Sequence, residues 1–264
     1  MRITLVTPSF NQAQFIERTI ESVLSQQGDF ELDYRIIDGG STDGTVEILK
    51  RYGNRIRWTS ERDKGQVDAI NKGLRDATGD IVGWLNSDDV LLPGALARVA
   101  DAFRANQHAE WLHGRCVIID EEDREVRRWI SEYKHYRARR HTLQRLLTEN
   151  YVSQMTVFWR RSAHDAIGYL SDAFKYAFDY DLWVRLAQRS APLYLEEPVA
   201  CFRWYATSKS GEGFVVQMTE TADIGIAAEG GSRLHALQAR LKAHAIINIY
   251  RALGIARSLV TRRR

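Results

Sequence analysis

The first 110 residues alternate between short apolar runs and longer stretches in which apolar residues recur every three or four positions. The runs predict β-strands, and the recurrence predicts helices. The predicted strands are 3–6, 34–37, 56–59 and 81–85, and the predicted helices are 15–24, 45–52 and 67–77. This β-α-β-α-β order predicts a mainly parallel sheet that binds ligands at the carboxyl ends of its strands.

The pattern after residue 110 is less regular, because charged residues interrupt the apolar periodicity over 111–150. Three further elements are predicted beyond it, namely an apolar block at 155–159, a helix at 180–188 and a strand at 193–195. No repeat and no low-complexity linker separates these parts. We therefore predict one domain over 1–215 and a helical tail over 216–264.

The net charge is only +3, but positive charge is concentrated at the C-terminal end. Residues 232–264 contain eight Lys or Arg and no Asp or Glu, so the other 231 residues carry a net charge of −5. Apolar residues are interleaved with these cations, which fits a helix on an anionic membrane surface better than a groove that follows nucleic-acid phosphates. A helix packed on the body or on a second copy is the alternative. We expect no nucleic-acid partner.

The cellular location can be narrowed from apolar runs and cysteines. No stretch reaches the roughly 18 apolar residues needed to span a bilayer, and the run at 3–6 is too short for a signal peptide. Cys116 and Cys201 are far apart and form no Cys-X-X-Cys pair, so neither a disulfide framework nor a zinc site is expected. We expect a cytoplasmic protein that is peripheral on the inner face of the membrane if its tail binds there.

Polar clusters follow all four predicted strands. They are Thr7-Pro8-Ser9, Asp38 to Ser41, 61–66 and 86–89. Because parallel strands end at one edge of a sheet, we expect the clusters to form one site. In the last cluster, Asp88 and Asp89 lie in a setting without Cys or His, which suits Mg²⁺ or Mn²⁺ that also binds phosphate oxygens. A turn or helix N-cap is the alternative for Asp89.

Three other segments are candidates for binding or catalysis. Asp38 precedes Gly-Gly-Ser, where backbone amides can approach a ligand and the carboxylate can accept from ribose or base; a turn capped by Ser41 or Asp43 is the alternative. Asp179 starts an amphipathic helix, where it can cap the helix or, in an apolar pocket, accept a proton from an attacking hydroxyl. Residues 202–210 can close over a diphosphate or form a surface loop.

Five segments together resemble the family 2 glycosyltransferases. They are VTPSFNQAQFIERTIESVLSQ, IIDGGSTDGT, ERDKGQVDAINKGLRDATGDIVGWLNSDD, FDYDLWVRL and FRWYATSKS, in the family's order over roughly 1–215. The resemblance implies the GT-A fold, a Rossmann-like α/β fold with a mixed, mostly parallel central sheet flanked by helices, followed here by a C-terminal helical tail. It implies a nucleotide-sugar-binding half at 1–110 and an acceptor-binding half at 111–215. Residues 111–150 are then a solvated helical excursion or part of the acceptor site.

The resemblance also implies roles for individual residues. Pro8 and Asp38 would contact the nucleoside, and Asp179 rather than Asp181 would be the general base. Asp88 and Asp89 would fill the metal motif for Mn²⁺ or Mg²⁺, with Asp89 the direct ligand. The other residues placed around the nucleotide sugar are Thr7, Ser9, Asn11, Ser41, Lys64, Gly65, Gln66, Asp68, Asn86, Asp88, Arg203, Ser208, Lys209 and Ser210.

Two positions depart from the family's pattern. Phe178 precedes Asp179 where many relatives carry a Glu, so one negative charge beside the base is missing. Tyr205 stands where relatives often carry a His that helps to hold the metal or the diphosphate. A phenol titrates near pH ~10 and is a poor ligand at neutral pH. The metal is then expected to keep an extra water, to bind more weakly, or to rely on carboxylates and phosphate.

The implied activity is a metal-dependent, inverting transfer of the hexosyltransferase type. The donor would be a UDP-sugar first and a GDP-sugar second, and the acceptor a saccharide or a lipid-linked molecule in surface polysaccharide or glycolipid biosynthesis. A catalytically weak sugar-nucleotide-binding protein, which Tyr205 favours, and a sugar-phosphate nucleotidyltransferase are the alternatives. The latter typically has a Gly-rich signature with Arg or Lys near the first strand, and the segment TPSFNQAQF lacks it.

Overall fold

The computed structural model describes residues 1–205, 208–209, 213–230 and 232–261, with side chains up to residue 249 except that of Asp165. The elements up to residue 105 are β1 (Arg2–Ser9), α1 (Ile16–Leu24), β2 (Glu31–Asp38), α2 (Thr45–Arg51), β3 (Arg57–Ser60), α3 (Gln66–Arg75), β4 (Ile81–Trp84), β5 (Val90–Leu91) and α4 (Ala95–Ala105). The alternation predicted over 3–85 is confirmed. Thr7 to Ser9, however, end β1 and do not follow it.

The second half contains elements that the sequence analysis describes incompletely. They are β6 (Trp111–Ile119), α5 (Arg128–Ala138), α6 (Leu143–Thr148), β7 (Phe158–Arg160), α7 (His164–Ile167), α8 (Phe178–Arg189), β8 (Leu193–Arg203), α9 (Phe214–Glu229) and α10 (Arg233–Thr261). The segment 111–150 therefore opens with a nine-residue strand. This strand is covered on both faces, so it lacks the polar alternation that marks a half-exposed strand.

In the described part of the chain, the strands form one sheet in the order β3-β2-β1-β4-β7-β6-β8-β5. β1 runs parallel to β2 and β4, and β2 runs parallel to β3. β7 is antiparallel to both of its neighbours, whereas β6 and β8 are parallel. The predicted mixed, mostly parallel sheet flanked by helices is confirmed.

The core lies in two layers, one on each face of the sheet. Ile3 and Leu5 of β1 pack in the layer that contains α1 and α4, whereas Val6 packs in the layer that contains α3 and α8. On the second face, the ring of Trp84 at the end of β4 stacks on Trp183 of α8 with 5.3 Å between ring centres. This packing holds the start of α8 beside the edge of the sheet at which β1, β2 and β4 end.

The segment 216–264 consists largely of two helices that pack on the body. In α9, a Cβ atom at Gly225 would lie 1.9 Å from the carbonyl oxygen of Leu147, so glycine permits the close approach of α9 to α6. In α10, Lys242 forms an ion pair with Glu149. Within the described residues, no helix combines the length and the hydropathy that crossing a membrane requires.

Candidate active site

A cleft of about 2190 Å³ opens at the carboxyl ends of β1, β2 and β4, and its opposite wall is formed by β6, α5 and α10. Nine of the residues that the sequence analysis assigns to the site line it: Pro8, Ser9, Gly65, Gln66, Asn86, Asp88, Asp179, Ser208 and Lys209. Eight others do not line it: Thr7, Asn11, Asp38, Ser41, Lys64, Asp68, Asp89 and Arg203. Ser210 lies outside the described residues.

Asp38 is fully buried at the end of β2 and organises the loop that follows. Its carboxylate accepts hydrogen bonds from the backbone N–H groups of Gly40 (3.1 Å) and Ser41 (2.9 Å). It also accepts from the hydroxyls of Ser41 (2.5 Å) and Ser60 (2.6 Å). These four hydrogen bonds give Asp38 a role in forming the loop, and its predicted contact with the nucleoside stays a prediction. Gly39 and Gly40 line the cleft instead.

Thr7 and Asn11 form hydrogen bonds within the protein. The hydroxyl of Thr7 lies 3.1 Å from that of Tyr34 in the core. Asn11 has a φ of 52°, and its N–H donates to the hydroxyl of Ser41 at 2.7 Å while its side-chain oxygen accepts from the N–H of Thr42 at 2.9 Å. These bonds tie the loop after β1 to the loop after β2, which together shape one side of the cleft.

The residues around the start of α3 have two roles, since some stabilise the end of the helix and others line the cleft. The carboxylate of Asp68 accepts from the backbone N–H of Lys64 at 3.2 Å and lies 3.5 Å from the ammonium of Lys72. Asp68 therefore stabilises the start of α3, and the Lys64 side chain is exposed outside the cleft. Gly65, with a φ of 109°, and Gln66 face the cleft.

The two carboxylates of the 86–89 cluster have different surroundings. Asp89 is fully buried and accepts from the N–H of Arg203 (2.9 Å) and the side-chain amide of Asn86 (3.2 Å). Asp88 lines the cleft and accepts from the hydroxyl of Tyr205 at 3.0 Å. Burial raises the pKa of both carboxyls, and the charge of Asp88 adds to the rise at Asp89. Asp88 therefore lines the cleft and Asp89 does not, and the prediction that Asp89 is the direct metal ligand stays a prediction.

Arg203 holds the 86–89 cluster in place through hydrogen bonds. Its guanidinium donates to the carbonyl oxygens of Asp88 (2.9 Å) and Asp120 (2.7 Å) and to the carboxylate of Asp123 (2.5 Å). The same group lies over the ring of Phe15 at 4.8 Å. The side chain is 1% exposed and is held by these partners, and its predicted contact with the diphosphate stays a prediction.

The chemistry of Asp88 suits a divalent cation. Among the described residues, no three His, Cys, Asp or Glu side chains form a metal-binding group. In the 86–89 cluster, the carboxylate that lines the cleft and could bind a metal is that of Asp88. Mg²⁺ is commonly bound by one or two carboxylates together with substrate phosphates and water. Burial, together with the Asp88 charge, raises the pKa of the Tyr205 hydroxyl, which therefore stays protonated and donates to Asp88.

A chain of hydrogen bonds connects four segments of the site. The ammonium of Lys209 donates to the side-chain oxygen of Gln66 at 2.9 Å, and the amide of Gln66 donates to Asn86 at 2.9 Å. Asn86 in turn donates to Gln154 at 3.0 Å. Lys209 also lies 4.8 Å from the ring centre of Phe178. The chain fixes Lys209 near the metal motif, and Gln154 is a member that the sequence analysis misses.

Asp179 lies in the first turn of α8 and lines the cleft. Its carboxylate accepts from the N–H of Tyr180 at 2.7 Å. Burial raises the pKa of Asp179 to about 6, although the hydrogen bond and the charges of Lys134 and Lys209 oppose the rise. A carboxylate with this pKa is mostly ionised at neutral pH and is basic enough to accept a proton from a hydroxyl.

Asp181 is engaged elsewhere. Its carboxylate lies 2.7 Å from the guanidinium of Arg185 and faces away from the cleft lining. Beside Asp179, the ring of Phe178 stacks on that of Trp84 at 6.5 Å. An aromatic side chain therefore stands at position 178, where many relatives have Glu. Its apolar surface favours the raised pKa of Asp179, because apolar surroundings disfavour the charged carboxylate.

Glu220 of α9 holds the loop that leads into α8. Its carboxylate accepts from the backbone N–H groups of Lys175 (2.9 Å), Tyr176 (2.8 Å) and Ala177 (2.8 Å). Three charge-assisted bonds to consecutive amides fix this loop immediately before Asp179. Glu220 therefore positions Asp179 without touching the cleft.

Glu220→Ala is expected to lower the free energy of unfolding by about 2 kcal/mol, because part-buried amides lose their acceptor. Thermal unfolding followed by circular dichroism measures the loss, which corresponds to roughly 4–8 °C. Asp223→Ala removes an exposed carboxylate from the same helix and is the matched control. Equal melting temperatures of the two variants would contradict the role given to Glu220.

Residues outside the predicted set also line the cleft. A Cβ atom at Gly39 would lie 2.8 Å from the carboxylate of Asp63, which would then have to shift. Asp63 lines the cleft and accepts from the N–H of Gly65 at 2.8 Å. On the opposite wall, His113 and Lys134 line the cleft. Neither residue was predicted, because β6 was not recognised as a strand and 111–150 was interpreted as a solvated helical excursion or part of the acceptor site.

Known proteins are similar to this chain in sequence and in fold. The sequence model of Glycosyl transferase family 2 matches residues 4–168. An uncharacterized glycosyltransferase of Nostoc sp. is 30% identical over 130 residues, which cover 48% of this chain and 40% of that protein. A PGL/p-HBAD biosynthesis glycosyltransferase of Mycobacterium tuberculosis is 28% identical over 188 residues, 69% of this chain and 68% of that protein.

Solved structures establish the fold. S. aureus TarS superposes with a TM-score of 0.64 at 21% identity, over 92% of this chain and 43% of TarS. The mannosyltransferase PcManGT of Pyrobaculum calidifontis, solved with GDP-Man and Mn²⁺, superposes with a TM-score of 0.61 at 16% identity, over 96% of this chain and 80% of that chain. The predicted GT-A fold is confirmed, although the chain spans less than half of the Nostoc protein and of TarS. Because the family model covers more than half of it, this chain belongs to glycosyl transferase family 2.

Proposed function

We propose that this protein transfers a sugar from a nucleotide-diphosphate sugar to an acceptor hydroxyl with inversion at the anomeric carbon. The observation that carries the proposal is the presence of Asp179, with its raised pKa, in the same cleft as Asp88 and Lys209. A base for the acceptor and groups for a diphosphate are thus close together. TarS 1-349 has been solved with UDP-GlcNAc and PcManGT with GDP-Man, which supports UDP and GDP as the candidate nucleotides.

The donor is proposed to lie along the loops after β1, β2 and β3. Pro8, Gly39 and Gly40 leave the backbone accessible there for the nucleoside. Lys209 offers a cation and Ser208 a hydroxyl to the diphosphate. A Mn²⁺ or Mg²⁺ ion held by Asp88 would neutralise part of the diphosphate charge.

The proposed reaction is a single displacement. Asp179 takes the proton of the acceptor hydroxyl as that oxygen forms a bond to the anomeric carbon. The bond between this carbon and the diphosphate oxygen breaks with its electron pair, and the nucleoside diphosphate departs with its negative charge close to Lys209. Attack from the side opposite the leaving group inverts the configuration. The apolar surroundings of Asp179 favour the proton transfer because they disfavour its charged form.

Calorimetric titration of the protein with UDP and with GDP, each with and without Mn²⁺, tests the donor site. We expect one nucleotide to bind more tightly when Mn²⁺ is present. Release of nucleoside diphosphate from UDP-GlcNAc or GDP-mannose then tests catalysis. Binding without release would favour a catalytically weak sugar-nucleotide-binding protein, and absence of binding by both nucleotides would contradict the proposal.

We also propose that the acceptor is a saccharide or a lipid-linked molecule of surface polysaccharide or glycolipid biosynthesis. Support comes from relatives whose names concern PGL/p-HBAD biosynthesis and chondroitin synthesis. The chondroitin synthase of Escherichia coli is 28% identical over 70% of this chain, which covers only 26% of that enzyme.

The exposed face of α10 supports a peripheral position on the cytoplasmic face of a membrane. Leu234, Leu237 and Leu241 recur at helical spacing and are 67%, 56% and 61% exposed, with Arg233 and Arg240 beside them. The other side of the helix buries Ala239 and other residues against the body. An apolar stripe flanked by cations is typical of helices that lie on anionic lipid.

Leu241→Gln is expected to reduce recovery of the protein with sedimented phosphatidylglycerol vesicles about threefold or more, because one buried Leu side chain stabilises membrane contact by about 1 kcal/mol or more. Val216→Gln changes an exposed apolar residue of α9 and is the control. Phosphatidylcholine vesicles give the recovery without anionic charge. Unchanged recovery of Leu241→Gln, or equal losses in the two variants, would reject the membrane surface.

A further inference from the structure

The wall of the cleft opposite the donor loops carries an excess of positive charge. It is formed by β6, α5, α10 and the segment after α6, and Glu149 of that segment is the only acidic side chain among the described residues that line this wall. The cationic residues on this wall are Arg115, Arg127, Arg128, Lys134 and Lys242. A wall of this charge attracts anions and repels cations.

Four of these five cations already have partners. Arg115 pairs with Glu132, Arg127 lies 3.4 Å over the ring of Trp204, Arg128 lies within 4.0 Å of Glu125 and Glu132, and Lys242 pairs with Glu149. Lys134 is different, since its ammonium forms no hydrogen bond or ion pair within 4 Å to any residue that the structure describes. It is therefore the cation of this wall that can bind a ligand without breaking an existing pair.

The surroundings of Lys134 leave its charge poorly compensated. Burial lowers the pKa of its ammonium, while the charges of Asp179 and Glu149 act against that effect. Glu149 already accepts from the hydroxyl of Tyr133 at 3.1 Å, lies 3.2 Å from Arg137 and pairs with Lys242. A partly buried charge without a direct partner is costly, and an anion from outside the chain would remove that cost.

A second unpaired group lies on the same wall. His113 of β6 is 1% exposed, and its Nε2 atom has no hydrogen-bond partner among the described residues. Burial lowers the pKa of His113 to about 3, so the ring is neutral and adds no charge. Buried polar atoms without a partner are rare in folded proteins. Lys134 and His113 thus lie on one wall of the cleft without a partner among the described residues, which indicates that a polar ligand completes this wall.

We propose that the acceptor carries an anionic group, a phosphate or a carboxylate, and that Lys134 binds this group while Asp179 holds the hydroxyl to be glycosylated. The inference rests on the proposed transferase function and specifies its acceptor. Lys209, which is hydrogen-bonded to Gln66 on the donor side, and Lys134, on the opposite wall, are the two lysines whose charges act on Asp179. Lys209 is thus available to the donor and Lys134 to the acceptor.

The test uses matched pairs of small probes and the full chain saturated with UDP and Mn²⁺, so that the diphosphate site is filled. sn-Glycerol 3-phosphate is compared with glycerol, and glucuronate with glucose, by calorimetric titration. We expect the anionic member of at least one pair to bind at least about tenfold tighter than its neutral partner, as expected for one charge-assisted contact. The pair that shows the preference distinguishes phosphate from carboxylate.

Variants of Lys134 assign that preference to the residue. Lys134→Met is expected to abolish it, and Lys134→Arg is expected to retain most of it. Lys50→Met removes an exposed lysine of α2 and controls for net charge. Unchanged affinity for UDP in all three variants shows that each is folded and that the donor site is intact.

Three results would overturn the inference. They are equal binding of anionic and neutral probes, absence of binding by every probe, and a preference that survives Lys134→Met. A Lys134 that acts only on the pKa of Asp179 would move the acid limb of the transfer rate to higher pH in Lys134→Met and leave probe binding unchanged. Failure of UDP to bind to the parent protein would instead reject the proposed transferase function.

Discussion

Asp179→Asn is expected to lower the rate of sugar transfer by about 10²–10⁴-fold, the usual contribution of a positioned general base. The affinity for UDP in the presence of Mn²⁺ should remain within about twofold, because Asp88 and Lys209 keep their contacts. Single-turnover transfer and calorimetry measure the two quantities. Asp181→Asn, which breaks the pair with Arg185 on the same helix, is the control and should retain transfer.

The pH dependence of the parent protein provides a second readout of Asp179. Its pKa of about 6 predicts that the transfer rate rises with pH up to about 6 and then levels, because only the ionised carboxylate accepts the proton. Substantial transfer by Asp179→Asn, or a rate independent of pH between 5 and 7, would remove Asp179 from the role of base.

Asp179→Asn should also stabilise the fold above pH 6. The pKa of this carboxyl is about 6 in the folded chain and about 4 in the unfolded chain, so the folded chain binds the proton more tightly. The free energy of unfolding of the parent therefore falls as pH rises from about 4 to about 6. Asn removes this loss, and we expect a gain of about 1–2 kcal/mol at pH 8, or roughly 3 °C in melting temperature. Asp181→Asn should instead lower the melting temperature.

Asp88→Ala and Asp89→Ala are expected to fail in different ways. Asp88 faces the cleft, so its removal should abolish the Mn²⁺-dependent gain in UDP affinity, an effect of about 100-fold or more if Asp88 is the ligand, with little change in melting temperature. Removal of Asp89 leaves the buried N–H of Arg203 without an acceptor and should cost about 1–3 kcal/mol of stability.

Calorimetry with UDP and Mn²⁺ and thermal unfolding of both variants separate the two effects. Asp89→Ala should melt roughly 2–10 °C below the parent and, at a temperature where it is folded, should still show metal-dependent binding. The reverse pattern, with metal dependence lost in Asp89→Ala and retained in Asp88→Ala, would identify Asp89 as the direct ligand.

Local periodicity was sufficient to predict the strands and helices of the first 85 residues, and strand order then placed the polar clusters at one edge. The reason is that the inner strands of a parallel sheet are buried on both faces and its helices on one face, so apolar residues recur with the period of each element. β6 was missed because it contains His113, Gly114 and Arg115 and is followed by charged residues, although both its faces are covered. Burial of such a strand depends on neighbours that are distant in the chain.

The chemical identity of the site was also partly readable from the sequence. Five motifs in order indicated a family 2 glycosyltransferase, and the match over 4–168 confirms the family. The residue types that can hold a metal, a diphosphate or a proton were present in those motifs. Which of them face the cleft was not readable, since Asp88 and Asp89 are adjacent and chemically identical.

The sequence by itself therefore determined the order of the elements, the edge of the sheet that carries the site and the set of candidate side chains. Tertiary structure alone decided which of these candidates line the cleft. Asp89 and Arg203 are 114 positions apart, yet the N–H of Arg203 donates to the carboxylate of Asp89, and neither residue lines the cleft whereas Asp88 does. Likewise, Lys134 became a candidate for acceptor binding only when the fold placed it opposite the donor loops without a partner among the described residues. The physical reason is that a polar side chain acts on a ligand only if its hydrogen-bonding capacity is not already used, and contacts between distant segments decide that.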